Sequence, residues 1–141
     1  MKKMFKKSKG FTLVELLIVV VIIGILAGMM MLSTGSATSK AEATKIVANL
    51  RNMKAAAVMV YADTNTWPTA VKSLDQYVDQ KFGTGTANVS YDISGNYVTF
   101  SGVKSDVEAS LKKMRDTGVP LYAGATSTDY TSGAIVAMPM K

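Results

Sequence analysis

The 141-residue sequence predicts an α+β fold, with one long N-terminal helix followed by a small head containing antiparallel strands. Three observations carry that expectation. An apolar run extends from Phe11 to Leu32, an amphipathic pattern of helical period reaches about Asp63, and alternating residues around Ser94-Gly95-Asn96 read as a hairpin.

The apolar run is interrupted only by Thr12, Glu15, Gly24 and Gly28. At the helical rise it spans roughly 33 Å, about one bilayer hydrocarbon core. Lys2, Lys3, Lys6, Lys7 and Lys9 crowd its N-terminal side, so the positive-inside rule holds that end in the cytoplasm and sends the C-terminus outward. An ordinary secretory signal shares the basic start, but its apolar region is usually only about 7–15 residues long. It also lacks the acid found here near the beginning of the run. A carboxylate at the bilayer centre costs on the order of 2.5–3.5 kcal/mol. Glu15 lies one turn from Phe11, near the cytoplasmic interface, where water and the helix N-terminus lower that cost.

The net charge of +6 is unevenly placed. Five of the sixteen basic residues fall in the first ten positions, and the remainder of the chain sets eleven basic residues against ten acidic ones, a net +1. The basic character therefore belongs to the N-terminus and leaves no electrostatic footprint for nucleic acid. The absence of cysteine and histidine removes thiol nucleophiles, disulfides, histidine-based triads and most zinc sites. The ten acidic residues are scattered, and Asp63, Asp75, Asp79 and Asp92 form no recognisable calcium loop. No catalytic residue, metal ligand or cofactor is expected. The ten methionines, Met29-Met30-Met31 among them, read as flexible apolar filler.

The order Lys9-Gly10-Phe11-Thr12-Leu13-Val14-Glu15, leading into a membrane-length helix, resembles the cleavage and methylation signal of type IV prepilins and of the related type II secretion pseudopilins. The resemblance covers about the first quarter of the chain and implies a pilin-like fold. In that family a membrane-embedded prepilin peptidase cuts after the glycine and N-methylates the new terminus. The resemblance thus implies a leader of residues 1–10, a cleavage site at Gly10 and Phe11, and methylation of Phe11. Glycine suits such a cut because it lets an extended backbone approach the protease unobstructed. Family filaments bundle the apolar helices, and each glutamate neutralises the terminal amine of a neighbouring subunit. This implies an assembly role for Glu15, with Thr12 supporting that end through its hydroxyl or as a helix cap. In a low-dielectric bundle the attraction is strong and an unpaired charge is strongly unfavourable, so the pair would set register.

Gly24-Ile25-Leu26-Ala27-Gly28 is a small-xxx-small pattern that permits close helix packing. Many pilins carry a proline near the position of Leu32, with a kink there. This chain has none between Phe11 and Thr66, and only Gly24, Gly28 and Gly35 weaken the helix.

The amphipathic half, residues 33–63, places Ala43, Ile46, Val47, Leu50, Met53, Ala57, Val60 and Tyr61 on one face and Lys45, Asn49, Arg51 and Asn52 mostly on the others. Asn65-Thr66-Trp67-Pro68 ends the helix near Thr64, and Trp67 is expected to anchor the head core. The aromatic-proline pair resembles a recurring feature of pseudopilins and several bacterial pilins. The head, residues 64–141, should hold a short helix from Ala70 to about Phe82 with Val71, Leu74 and Val78 inward, closed by Gly83 and a loop at Gly83-Thr84-Gly85-Thr86. Val89, Tyr91 and Ile93 then alternate before the hairpin turn, and Tyr97-Val98-Thr99-Phe100 forms the return strand. Ser105-Asp106-Val107-Glu108 fits a capping box opening a helix to Thr117, with Val107, Leu111 and Met114 inward and Gly118 at its end. A last strand should cover Ala134 to Met138. A head of about eighty residues is small for independent stability, so it should use the helix as half of its core.

The family resemblance implies a structural filament subunit of a type IV pilus, or alternatively a type II secretion pseudopilin. Its implied partners are identical or related pilin subunits, the prepilin peptidase, an inner-membrane assembly platform and the membrane. It further implies a single-pass precursor in the cytoplasmic membrane and then a cell-surface filament. Some pseudopilins bind calcium in a C-terminal loop, where Asp129 is the nearest candidate here, although solvated surface fits its neighbours better. A DNA-receptor pilin conflicts with the near-neutral charge beyond residue 10.

Overall fold

The computed structural model describes residues 10–80, Phe82 and residues 91–141. The lysines at positions 2 to 9, the Gly83-Thr84-Gly85-Thr86 loop and Val89 lie outside the described residues. Elements follow in the order α1 (Leu13–Thr64), a 3₁₀ turn (Val71–Leu74), β1 (Tyr91–Ser94), β2 (Tyr97–Ser101), α2 (Ser105–Asp116), β3 (Tyr122–Ala123) and β4 (Ile135–Pro139). Two compact units divide at Ser36 and Ala37.

In the first unit α1 is a single helix whose large apolar side chains from Leu13 to Met31 are all at least 50% exposed. It is long and apolar enough to cross a membrane. The helical assignment of α1 is continuous from Leu13 to Thr64.

The second unit is built on the other half of α1. Ala43, Ile46, Val47, Leu50, Met53, Ala57 and Val60 are buried as their spacing requires, joined by Ala56. They meet Ile93, Val98, Val136 and Met138 of the sheet and Val107 and Leu111 of α2 in one core. Asn49 departs from the expected outer position and is buried, because it lies between Ile46 and Met53 on the same helical face. Its burial is compensated by a 2.8 Å hydrogen bond from its side-chain amide to the Tyr91 hydroxyl, which ties edge strand β1 to the helix. Tyr61 departs the other way. It is 38% exposed and stacks on Trp67 at 4.6 Å rather than entering the core, so Trp67 is a half-buried lid over the core edge. The helix ends as Asn65-Thr66-Trp67-Pro68 requires. Asn65 takes φ 54° and donates its N–H to the Tyr61 carbonyl at 2.7 Å, closing the last turn in the left-handed manner.

The expected helix over residues 70–82 is reduced to one 3₁₀ turn at Val71–Leu74. Ala70 at its start offers no capping side chain, and Val71, Ser73, Asp75 and the following Tyr77-Val78-Asp79 are weak helix formers. Val71 and Leu74 still point into the core and Val78 packs against it, so the inward side of this segment is as the pattern indicates.

The four strands form an antiparallel sheet in the order β1-β2-β4-β3. Gly95, with φ 58°, opens the two-residue turn between β1 and β2, a conformation that side-chain-bearing residues disfavour. β4 runs one residue beyond the expected strand at its C-terminal end and starts one residue later. The Ala134 carbonyl instead accepts from Gly102 and Val103. The two-residue β3 has no counterpart in the sequence reading, being too short to show a period.

α2 starts one residue earlier than the capping box implies. Lys104 is its N-cap, with no side-chain capping bond, and the Lys104 carbonyl accepts from Val107 and Glu108. Asp106 accepts a 2.8 Å hydrogen bond from the Ser39 hydroxyl of α1, and Lys104 pairs with Glu42 at 3.0 Å. The expected C-terminus holds. Gly118, with φ 102°, donates to Arg115 and Val119 donates to Met114, the paired bonds of a Schellman motif.

Two measurements on the full chain in detergent micelles check this packing. Leu50→Ala, which empties a fully buried position, should destabilise the head by about 2–5 kcal/mol by chemical denaturation. Tyr130 is buried and donates to the Gly133 carbonyl at 2.7 Å; burial, with a smaller contribution from Glu108, pushes its phenol from 10.0 up to about 12. Because the folded state disfavours the phenolate, this contribution to stability should be fully present below about pH 10 and be lost as pH rises towards 12. Tyr130→Phe should weaken that alkaline loss in thermal unfolding.

Candidate functional site

The residues singled out at the N-terminus fall into two groups. Gly10, Phe11 and Thr12 precede the helix and are exposed, Phe11 at 87%. The peptide between Gly10 and Phe11 therefore lies outside α1, and among the described residues nothing beyond its chain neighbours crowds Gly10. Helix begins only at Leu13, and the reason is local chemistry.

Thr12 and Glu15 form a reciprocal cap. The Glu15 backbone N–H donates to Thr12 Oγ1 at 3.3 Å, and Glu15 Oε2 accepts from the Thr12 backbone N–H at 2.9 Å and from its hydroxyl at 2.6 Å. The Leu16 N–H then donates to the Thr12 carbonyl at 3.3 Å, beginning the helical ladder. This is a capping box with threonine at the N-cap and glutamate at the third helical position. The carboxylate also lies at the positive end of the helix dipole. Only one oxygen of Glu15 is used. Oε1 makes no hydrogen bond among the described residues.

Gly24 and Gly28 lie on α1 with open space around both, so neither is required by a close contact within the chain. They leave two shallow places on an otherwise bulky apolar surface.

The spacing Thr12-x-x-Glu15 signals the box in sequence as clearly as Ser105-x-x-Glu108 does, yet only the first forms. Asp129, weighed above as a calcium ligand, accepts from Arg115 at 2.9 Å, and Arg115 also pairs with Asp116 at 2.8 Å. Among the described residues no three acidic side chains converge on a metal position.

Known proteins resemble the chain at both levels. A family model for the prokaryotic N-terminal methylation motif matches residues 5–31. The chain is 31% identical over 100 residues to a type IV major pilin protein PilE1 of Neisseria gonorrhoeae, an alignment covering 71% of this chain and 54% of that protein. It is 33% identical over 75 residues to the type II secretion system core protein G of Aeromonas hydrophila, covering 53% of this chain and 52% of that one. It spans about half the length of the curated relatives it matches. The fold is similar to the structure of the major type IV pilin PilA1 from Clostridium difficile, with a TM-score of 0.50 at 18% identity over 74% of this chain and 98% of the other. With a prepilin-type motif at its head and a pilin-like fold behind it, the chain is related to the type IV pilins and to the type II secretion core proteins G.

Proposed function

We propose that the chain is a non-enzymatic structural subunit of a type IV pilus-like filament, made as a membrane-anchored precursor and assembled through α1. The observation that carries this reading is the division of labour along α1. One stretch is sheathed in exposed apolar side chains and headed by a capped carboxylate, and another is buried beneath a head. A helix apolar on all sides needs lipid or other helices around it.

In this reading residues 1–10 are a leader, a prepilin peptidase cuts between Gly10 and Phe11, and Phe11 is methylated. The cut creates a cation at the tip of an apolar helix, where it needs an anion when water is excluded. Glu15 supplies one without giving up its cap, since Oε2 serves its own helix while Oε1 is open to the terminal amine of a neighbouring copy. Gly24 and Gly28 give the neighbouring helix room to approach. The precursor sits in the cytoplasmic membrane with its basic end inside, and the assembled filament stands at the cell surface. An inner-membrane platform drives the transfer between the two.

The similarity to core protein G supports a second reading, a pseudopilin of a type II secretion system. Electron microscopy and mass spectrometry of sheared surface filaments separate them. Abundant long filaments of this chain support a pilus, and their absence with impaired protein export supports a pseudopilus.

Mass spectrometry of the mature protein should find Phe11 at the N-terminus bearing one methyl group. Gly10→Val should leave the leader attached, and normal processing of that variant would overturn the cleavage assignment. Glu15→Ala should insert into the membrane as the parent does but give a large drop in filament yield. Wild-type yield from it excludes charge pairing.

A further inference from the structure

The chain has six tyrosines, and the fold employs four of them. The Tyr91 hydroxyl accepts from Asn49, Tyr130 donates to the Gly133 carbonyl, Tyr77 donates to Asp63, and the Tyr61 ring stacks on Trp67. Tyr97 and Tyr122 differ. Their phenols make no hydrogen bond among the described residues. Each ring instead has the other as its neighbour, with centroids 5.9 Å apart at an interplanar angle of 65°, and both side chains are partly exposed.

The register of the sheet accounts for their meeting. Tyr97 pairs with Pro139 and Tyr122 with Ala137, so the two stand on strands either side of β4, roughly 10 Å apart along the backbone bonding direction. Val98, Val136 and Met138 turn into the core, which places Tyr97, Ala137 and Tyr122 together on the opposite face. Ala137 offers only a methyl group there and is fully buried, so nothing on β4 holds the two rings apart. We propose that Tyr97 and Tyr122 are a site of oxidative cross-linking, coupled as dityrosine by a one-electron oxidant that consumes hydrogen peroxide. Each phenol gives up one electron and its hydroxyl proton. The two radicals form a carbon–carbon bond ortho to the oxygens, and the hydrogen on each bonded carbon moves to its own ring's oxygen. Two tyrosines and one peroxide thus become one dityrosine and two waters. In this cysteine-free chain the bond does what a disulfide would, closing the segment between residues 97 and 122 and tethering the two-residue edge strand β3 to β2. The site does not depend on the filament reading.

The full chain, dilute in detergent micelles, is treated with a haem peptide and hydrogen peroxide, a one-electron oxidant small enough to reach both rings. The expected product is monomeric and fluoresces as dityrosine. After trypsin it should yield residues 82–104 joined to 116–141, two hydrogens lighter than the separate peptides apart from oxygen added to methionine. Fragmentation should place the bond at Tyr97 and Tyr122. Tyr97→Phe and Tyr122→Phe should each abolish this product, and Tyr61→Phe, at the most exposed of the described tyrosines, should leave it unchanged. Chain unfolded in urea before treatment should give several-fold less of it. Mapping in the unsubstituted chain decides even where a variant folds poorly. No bond between Tyr97 and Tyr122, a predominant bond at another tyrosine, or an equal yield from the unfolded chain overturns the proposal.

Discussion

The buried face of α1 between Ala43 and Val60 is the surface on which everything in the second unit depends. The sheet has four strands, two of them at edges and one only two residues long, and α2 has twelve residues. Such pieces do not enclose enough apolar area to be stable by themselves. Laid on the helix, they share a core to which Leu50 and Met53 contribute fully buried side chains. The polar ties Asn49–Tyr91, Ser39–Asp106 and Glu42–Lys104 then fix where each element sits along it. Burial drives the association, and these bonds select one arrangement among those that bury similar area.

The same helix meets the opposite condition nearer its N-terminus, where the large apolar side chains are at least half exposed. The transition is encoded by composition and needs no break in the backbone. Small and polar residues around Ser33 to Ser39 replace the bulky apolar ones while helical geometry continues. A helix can change environment in this way because its backbone hydrogen bonds are internal and make no demand on what surrounds them.

Much of this was legible in the sequence. The long helix, its buried stripe, the Gly95 turn and the glycine stop of α2 rest on strong local signals, and each signal is decisive within a few residues. The errors came where tertiary contacts overrode local pattern. Ser105-x-x-Glu108 has the letters of a capping box, but the N-cap is Lys104, paired with Glu42 more than sixty residues away in sequence, and the helix begins one residue earlier. Asn49 looks like a surface residue until Tyr91 is known to lie beside it. Tyr61 has the right period for the core, yet Trp67 offers its ring a partner at the rim. At the N-terminal site Glu15 stands out on charge alone. Its division between two oxygens, one committed and one open, emerges only with coordinates.

The cap formed by Thr12 and Glu15 has a consequence for timing. Every group that defines the start of α1 lies after the peptide joining Gly10 to Phe11. Under the proposed cleavage, severing that peptide would alter charge at the tip and leave each of these bonds in place. This end of the helix would then be formed before the proposed cut, and the timing of the cut would rest with the protease rather than with a slow rearrangement of the substrate.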